Sequence, residues 1–426
     1  MTFKSFSTIL ILDDKLVGDL QMYIQRTIEN AVKRMNSSFP VVLITGPRQV
    51  GKTTVFKCCD DKRNYVSLDT LENRKLAKEN PALFLQRFEA PLLIDEIQYA
   101  PELLPYIKAI VDEKKQKGMF WITGSQQFHL MQSVSESLAG RVGILNLEGF
   151  SLLELSRKPF YDKFVPTLEW ISARSKEVQS LDLKELYEII WRGSYPALNN
   201  DENIDWEDFY SSYVQTYIER DIRDLTDSGD EMQFLELLTA LAARSGQLLN
   251  FSDVARDIGK PVSTIQRWVS ILQTSGVIYL LYPFSKNISN RMTKMPKIYF
   301  MDTGLVCYLT KWNSPETLEA GAKSGEILET FVVAEILKSY LHNGRKPNIS
   351  FYRDKDKKEI DVILEENGKV YPIEIKKKTN PDNKDIKNFD VLQKAGLQVG
   401  EGAVVCLAPT HLPLAESVNI IPVYYL

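Results

Sequence analysis

Residues 41–53 read VVLITGPRQVGKT, and this stretch decides how the first part of the chain folds. Val41 to Thr45 is a short apolar, mostly β-branched run, and it breaks at Gly46-Pro47. Such a run is typical of a buried strand that enters a loop. A helix is expected from Thr53 onward. The spacing Gly46-x-x-x-x-Gly51-Lys52-Thr53, between a strand and a helix, is therefore that of a phosphate-binding loop.

The physical basis of this prediction is the backbone. Glycines allow the loop to turn tightly enough for its N–H groups to point inward at phosphate oxygens, and the following helix adds a favourable dipole. Lys52 is expected to contact the β- and γ-phosphates, and the Thr53 hydroxyl is expected to ligate Mg²⁺. The predicted nucleotide-binding residues are Gly46, Pro47, Arg48, Gln49, Val50, Gly51, Lys52, Thr53 and Thr54. ATP and Mg²⁺ are the predicted cofactors.

A second motif follows in the segment PLLIDE, residues 91–96, which reads as an apolar strand that ends in two carboxylates. Asp95 is placed to hold the Mg²⁺ shell, and Glu96 is placed to orient the attacking water. The alternative is that both acids are solvated turn residues. The phosphate-binding loop upstream favours the first interpretation.

Two further candidates complete the predicted catalytic set of Lys52, Asp95, Glu96, Ser125 and Arg141. Thr123-Gly124-Ser125 ends the next apolar run with small polar residues that can sense the γ-phosphate. Arg141 precedes the strand predicted over 142–147. It is either a residue that reaches a neighbouring subunit's phosphate or an ordinary surface arginine, and the sequence does not separate the two.

Strands alternate with helices up to residue 150, which predicts an α/β domain with a parallel sheet. Helical patterns dominate residues 151–245, short helices and two β-rich runs follow, and Ser314–Glu319 reads as a linker. The predicted division is 1–40 (helical lead-in), 41–150 (P-loop domain), 151–245 (helical lid), 246–313 (winged helix-turn-helix) and 314–426 (C-terminal α/β domain).

These motifs resemble the AAA+ ATPase superfamily, in particular a group of prokaryotic predicted ATPases whose second half is a domain of unknown function. The resemblance is carried by the loop at 46–54 and by the segments LIDEIQ (93–98), ITGS (122–125), LAGR (138–141) and YIERDI (217–222). It implies an AAA+ fold, with Thr123 or Ser125 as sensor and Arg141 as a candidate arginine finger. It also implies assembly into a homo-oligomer.

Residues 251–276 predict a helix, a turn at Gly259 and a second helix closed by Gly276, which is the order of a helix-turn-helix. Runs at 277–282 and 297–300 then predict a winged hairpin. Ser263, Gln266 and Arg267 are expected to face a DNA major groove. Phosphate contacts are expected from a basic cluster of Lys286, Arg291, Lys294 and Lys297. The alternative is a protein–protein module or a packing unit of the lid.

The C-terminal part predicts a hairpin that turns at Asn367-Gly368, with Asp361 on one strand and Glu374 and Lys376 on the next. Glu329, on a helix predicted over 325–340, is expected to join them. These residues resemble the motif of the PD-(D/E)XK nuclease fold. The resemblance implies a site in which Glu329, Asp361 and Glu374 hold Mg²⁺ beside Lys376 for phosphodiester hydrolysis.

Composition restricts the partners. The formal net charge is -4, so any nucleic-acid surface must be a local patch. No apolar stretch is long enough for a membrane span, and no signal-peptide pattern opens the chain, which predicts a cytoplasmic protein. Two hypotheses remain: an ATPase that acts on double-stranded DNA, with a nuclease-like C-terminal domain, or a nucleotide-gated switch that binds a protein partner.

Overall fold

A computed structural model describes residues 23–124, 127–158, 161–217, 230–285 and 294–426. Its first unit is a parallel sheet of five strands in the order β2-β3-β4-β1-β5. The strands are β1 (Val41–Thr45), β2 (Asn64–Ser67), β3 (Leu92–Asp95), β4 (Phe120–Gly124) and β5 (Val142–Asn146). The helices around them are α1 (Ile28–Ser38), α2 (Lys52–Cys59), α3 (Leu71–Glu79), α4 (Pro81–Arg87), α5 (Leu103–Lys114) and α6 (Gln127–Leu138).

The central strand β1 shows why this sheet is covered on both faces. All five of its residues are buried, and the four apolar ones alternate between two hydrophobic clusters. Val42 and Ile44 belong to one cluster, whereas Val41 and Leu43 belong to the other. Because successive side chains point to opposite faces, a continuous apolar run is what a two-sided core requires. The predicted α/β domain with a parallel sheet is confirmed.

Helices follow this sheet, as the pattern over 151–245 predicts. They are α7 (Leu152–Leu155), α8 (Leu168–Arg174), α9 (Leu183–Arg192), α10 (Pro196–Asn200), α11 (Trp206–Tyr217) and α12 (Glu231–Ala242). The YIERDI motif lies outside the described residues after its first position.

The next unit has two helices and a small antiparallel sheet, whose first strand precedes the helices. Helix α13 (Phe251–Ile258) ends at Gly259, which has a φ of 72°, and α14 (Val262–Thr274) follows it. The strands β6 (Gln247–Leu248), β7 (Ile278–Leu281) and β8 (Lys297–Phe300) pair in the order β6-β8-β7. The order of helix, turn, helix and hairpin therefore matches the one read from the sequence.

The C-terminal unit contains a second, mixed sheet of six strands in the order β13-β14-β12-β11-β10-β9. The elements of this part of the chain, including the three helices that precede the sheet, are α15 (Thr303–Leu309), α16 (Pro315–Ala320), α17 (Ser324–Leu341), β9 (Ile349–Arg353), β10 (Glu359–Glu366), β11 (Lys369–Lys376), α18 (Asp390–Lys394), β12 (Gly402–Cys406), β13 (Leu412–Ala415) and β14 (Val418–Pro422). The predicted turn between β10 and β11 is present, with Asn367 and Gly368 at positive φ.

The prediction of a linker at Ser314–Glu319 is wrong. This segment is helix α16, which begins with a capping box between Ser314 and Thr317 and has Pro315 in its first turn. Leu318 is fully buried against the main core. Capping and burial together hold the segment as a helix.

Helix α17 is the longest element in the described part of the chain, and 13 of its 18 residues are buried. It packs against α9, β8 and β11, and so connects the helical region, the small sheet and the C-terminal sheet. Among the described residues, no helix combines the length and the apolar character needed to cross a bilayer.

Candidate functional site

The phosphate-binding loop follows β1 directly and is shaped by positive backbone angles. Gly46 has a φ of 149°, Gln49 of 61° and Gly51 of 89°. A Cβ atom on Gly46 would lie 1.9 Å from the carbonyl oxygen of Leu147, so only glycine fits at this position. The loop ends at the N-terminus of α2, where backbone N–H groups have no partner within the helix. This is the geometry that suits an anion.

Lys52 lies inside the loop. Its Nζ donates hydrogen bonds to the carbonyl oxygens of Gly46 at 3.1 Å and Pro47 at 2.7 Å. Only 6% of the surface of Lys52 is exposed. Burial lowers the pKa of Lys52 to about 8, although the nearby carboxylates of Glu96 and Asp95 oppose that shift. The loop thus holds a buried ammonium group next to the helix N-terminus.

The end of β3 meets this loop through Asp95. Thr53 Oγ1 and Thr123 Oγ1 both donate to Asp95 Oδ1, each at 2.5 Å, and Tyr65 OH donates to Oδ2 at 3.3 Å. Asp95 and Thr123 lie at the ends of β3 and β4, and Thr53 follows β1; these three strands are parallel, so their carboxyl ends share one edge of the sheet. A hydroxyl and a carboxylate at this edge are oxygen ligands of the kind Mg²⁺ prefers, and the predicted pair of Thr53 and Asp95 fits the ion.

Glu96 follows immediately and has an unusual backbone. Its φ of 59° is in the left-handed region, which is strained for a residue with a side chain. Its backbone N–H donates to Thr123 Oγ1 at 3.0 Å, and its carboxylate accepts a hydrogen bond from Gln98. The turn therefore carries Glu96 at the same sheet edge as Asp95 and Lys52. Ser125, the other predicted sensor, lies outside the described residues.

Arg141 lies at the opposite edge of the sheet. It precedes β5, and its carbonyl accepts from Val41 N at the start of β1. Five residues of strand, about 16 Å at 3.3 Å per residue, separate it from the phosphate-binding edge. Its guanidinium pairs with Asp112 at 2.5 and 2.9 Å. Arg141 cannot contact the phosphates bound by its own chain, so its role as an arginine finger remains a prediction about a neighbouring subunit.

Arg26 is a residue of this site that the sequence did not reveal. It precedes α1, is 2% exposed, and donates to the carbonyl oxygens of Val50 at 2.9 Å and Glu148 at 2.7 Å. Its Nε lies 3.0 Å from Glu154 Oε2. One buried guanidinium therefore connects the phosphate-binding loop to the segment that follows β5 and to α7.

This buried network continues into α17. His342 Nδ1 lies 3.3 Å from Glu154 Oε1, and its Nε2 accepts from the backbone N–H of Glu148 at 3.3 Å. Lys338 donates to the carbonyl oxygen of Phe150 at 2.9 Å. Burial raises the pKa of Glu148 to about 8, against the opposing charges of Lys338, Lys52 and Arg26. Lys338 on α17 and His342, just after that helix, therefore belong to the same buried network as the nucleotide-binding loop.

The C-terminal carboxylates form a second cluster. β10 pairs with β11 from Val362 opposite Ile373, and Asp361 and Glu374 are the residues next to this pair on the two strands. Lys376 Nζ lies 3.1 Å from Asp361 Oδ2 and 2.5 Å from Glu374 Oε2, and Ile375 N donates to Asp361 at 2.9 Å. Burial, together with the charge of Asp361, raises the pKa of Glu374 to about 9. The three motif residues on these strands are therefore in contact.

Glu329 joins this cluster through Lys297, which corrects one prediction. Lys297 is not an exposed phosphate contact: it is 4% exposed, and its Nζ lies 3.0 Å from Glu329 Oε1 and 2.7 Å from Glu359 Oε1. Tyr299 OH also donates to Glu329 at 2.6 Å. The Lys297 ammonium group is thus paired with carboxylates of α17 and β10 instead of facing solvent. Because these carboxylates lie far from Lys297 in the sequence, the sequence alone did not indicate the pairing.

The predicted Mg²⁺ site at Glu329, Asp361 and Glu374 is not assembled for a metal. Across the described ranges, no three His, Cys, Asp or Glu side chains are placed together as ligands. The physical reason is that the ammonium groups of Lys297 and Lys376 lie between the carboxylates and neutralise them. In this arrangement the residues do not fit a divalent ion.

Of the other residues predicted to contact DNA, four are exposed and two lie outside the described residues. Ser263, Gln266 and Arg267 are exposed on α14, and Lys294 is exposed just before β8. Lys286 and Arg291 lie outside the described residues. The turn after α14 also approaches the nucleotide loop, since a Cβ on Gly276 would lie 3.1 Å from the ring of Pro47.

The fold and the loop together define a P-loop nucleotide-binding domain. Residues 38–156 match the family described as an AAA domain, and this part of the chain is therefore an AAA domain of the AAA+ superfamily of P-loop ATPases. Residues 183–316 and 324–426 match two families described as domains of unknown function, DUF8612 and DUF4143.

Similar chains have been found in mycobacteria and among solved structures. Uncharacterized proteins of Mycobacterium bovis and Mycobacterium tuberculosis are each 29% identical over 397 residues, which is 90% of this chain and 80% of theirs. The Walker-type ATPase of Pyrococcus abyssi aligns with 14% identity and a TM-score of 0.40, over 66% of this chain and 94% of that chain. DnaA from Aquifex aeolicus, bound to AMPPCP, aligns with 11% identity and a TM-score of 0.27, over 62% and 89%.

Proposed function

We propose that this chain hydrolyses ATP at the carboxyl edge of the parallel sheet. The observation that carries the proposal is the contact of Thr53 and Thr123 with one oxygen of Asp95, beside the buried Lys52. Lys52 and the loop N–H groups bind and orient the phosphates, Thr53 and Asp95 hold Mg²⁺, and Glu96 accepts a proton from the attacking water. When bound, Mg²⁺ neutralises charge on the phosphates.

Replacing Glu96 by glutamine is expected to preserve ATP binding and to slow phosphate release by about 100-fold or more, because the amide cannot act as a base. The measurement is steady-state phosphate release together with the affinity for a fluorescent ATP analogue. Glu102→Gln, an exposed substitution a few residues further on, is the matched control. Equal turnover in the two variants would remove Glu96 from the chemistry.

The same measurement of phosphate release, repeated with and without duplex DNA, separates the two hypotheses for the role of ATP hydrolysis. Action on DNA is supported by the exposed Ser263, Gln266 and Arg267 on α14. A protein-partner switch is supported by the burial of Lys297, which removes one expected phosphate contact, and by the net charge of -4. Marked stimulation by DNA favours the first hypothesis. Turnover that is indifferent to DNA favours the second, with α13, α14 and the C-terminal sheet as docking surfaces.

A second candidate activity, cleavage of DNA, is supported by the order of the motif residues Asp361, Glu374 and Lys376 on the adjacent strands β10 and β11. Replacing Glu374 by alanine is expected to eliminate any Mg²⁺- or Mn²⁺-dependent cleavage while ATP hydrolysis continues at the wild-type rate. Nicking of a supercoiled plasmid is the assay, the exposed Glu416→Ala is the control, and the ATPase rate reports intact folding. Cleavage that persists in Glu374→Ala would show that this site does not cut DNA.

A further inference from the structure

An edge strand of the parallel sheet brings a tyrosine to the nucleotide site. Strand β2 lies at one end of the strand order, and its residue Tyr65 is 43% exposed. In the register of β2 and β3, Tyr65 is opposite Leu93, and Ser67 is opposite Asp95. The Tyr65 side chain therefore shares one face of the sheet with Leu93 and Asp95, two residues short of the carboxylate. It lies outside both the phosphate-binding loop and the PLLIDE segment.

The phenol of Tyr65 is long enough to cover this offset. Two residues of strand correspond to about 6.6 Å. Tyr65 OH reaches across it and donates to Asp95 Oδ2 at 3.3 Å. The Lys57 ammonium of α2 lies over the ring, 3.9 Å from its centroid, and this cation–π contact restrains the ring. Burial, together with the charge of Asp95, raises the pKa of Tyr65 to about 12, so the hydroxyl remains a donor at neutral pH.

The two oxygens of the Asp95 carboxylate have different donors. Oδ1 accepts from the hydroxyls of Thr53 and Thr123, whereas Oδ2 accepts from Tyr65. The terminal torsion of an aspartate is broad, so a carboxylate held through one oxygen can still turn about its last bond. Donors on both oxygens fix its plane. Tyr65 therefore supplies a restraint that Thr53 and Thr123 do not.

The orientation of Asp95 matters because this residue and Thr53 are the pair that fits Mg²⁺. Mg²⁺ demands near-ideal octahedral geometry, so a carboxylate that is free to turn holds the ion's shell more weakly than one already in place. Groups that orient the ligands of a metal ion typically change its affinity by about 10- to 100-fold. A hydroxyl that contacts only the ligand can therefore have a large effect on metal binding.

We propose that Tyr65 is a positioning residue: its hydroxyl fixes the plane of the Asp95 carboxylate and thereby sets the affinity of the nucleotide site for Mg²⁺. This inference rests on the proposed hydrolysis of ATP and adds a residue of the edge strand to that site. Tyr65 acts through Asp95 and needs no contact of its own with the nucleotide.

The test is nucleotide binding by the full chain with and without Mg²⁺. The quantity compared is the affinity for a fluorescent ATP analogue in Mg²⁺, divided by the affinity in EDTA. Tyr65→Phe removes only the hydroxyl, so this ratio is expected to fall by about tenfold while the affinity in EDTA stays at the wild-type value. Tyr106→Phe, at a tyrosine of α5 that is 44% exposed, is the matched control and should leave the ratio unchanged. An equal ratio in wild type and Tyr65→Phe would overturn the proposal.

A double variant tests whether Tyr65 acts through Asp95. In the Asp95→Asn background, Tyr65→Phe should change the ratio no further, because the charged ligand that it orients is gone. A further loss there, or a loss of affinity in Tyr65→Phe that is the same in Mg²⁺ and in EDTA, would contradict the positioning role. Failure of the proposed ATP hydrolysis is distinguishable: the wild type would release no phosphate, but the ratio would still fall in Tyr65→Phe.

Discussion

Replacing Lys52 by alanine is expected to abolish measurable ATP binding, with a loss of affinity of at least about 100-fold, or about 2.7 kcal/mol. Lys52 Nζ contacts two carbonyl oxygens of the loop that surrounds it, so the ammonium is already positioned at the helix N-terminus where phosphates bind. Alanine removes that charge together with both hydrogen bonds to the loop carbonyl oxygens. The measurement is titration with a fluorescent ATP analogue in the presence of Mg²⁺.

The control for this substitution is Lys62→Ala, an exposed lysine in the turn after α2. It lowers the net charge by the same amount without touching the loop, so ATP affinity should stay at the wild-type value. Circular dichroism melts of both variants separate a lost ligand contact from lost folding. Unchanged affinity in Lys52→Ala would refute the assignment of the nucleotide site to this loop.

The parts of the site that sequence predicted are those that local patterns specify. The loop glycines, Lys52 and Thr53 lie within one strand-to-helix connection, and Asp95 ends a neighbouring apolar strand. Because β1, β3 and β4 pair in parallel, their carboxyl ends lie at one edge of the sheet, so the local patterns were enough to predict that these residues come together. The contact of Asp361 with Glu374 was equally accessible, because a short hairpin sets the register of β10 and β11.

The parts that sequence did not reveal depend on contacts between distant segments. Arg26 contacts carbonyl oxygens 24 and 122 residues away, and no local pattern distinguishes it from a surface arginine before a helix. Lys297 looked like part of a basic patch because its acidic partners lie on other elements. For α16 a signal was available: Ser314 and Thr317 have capping-box spacing, with Pro315 between them.

Replacing Glu154 by glutamine is expected to cost about 3–5 kcal/mol of folding stability, because Arg26 is left buried without its counter-ion. The Glu154 carboxylate lies 3.0 Å from Arg26 Nε and 3.3 Å from His342 Nδ1, and it accepts from Thr27 N at 2.7 Å. Urea denaturation measures the change. A cost below about 1 kcal/mol would show that the network is not a principal link between the nucleotide loop and α17.

The chain supplies a closely matched control in Glu185→Gln. Both glutamates hold the third helical position of a capping box, Glu154 with Ser151 and Glu185 with Asp182, but Glu185 is exposed. Its substitution is expected to cost about 0.5 kcal/mol or less. The difference between the two variants therefore isolates the buried ion contacts from the helix cap.

The pH dependence of that difference provides an independent check with a definite sign. Burial alone would raise the pKa of Glu154, but the charges of Arg26 and His342 outweigh it and hold the pKa well below its ordinary value. A carboxylate with a lowered pKa in the folded state stabilises the protein above its unfolded pKa of about 4.3. The stabilisation is lost as pH falls below that value. The gap in unfolding free energy between wild type and Glu154→Gln should therefore be constant near neutral pH and shrink progressively in acid. A gap that grows as pH falls would mean that Glu154 is protonated in the folded protein and that Arg26 draws its stability from the loop carbonyls instead.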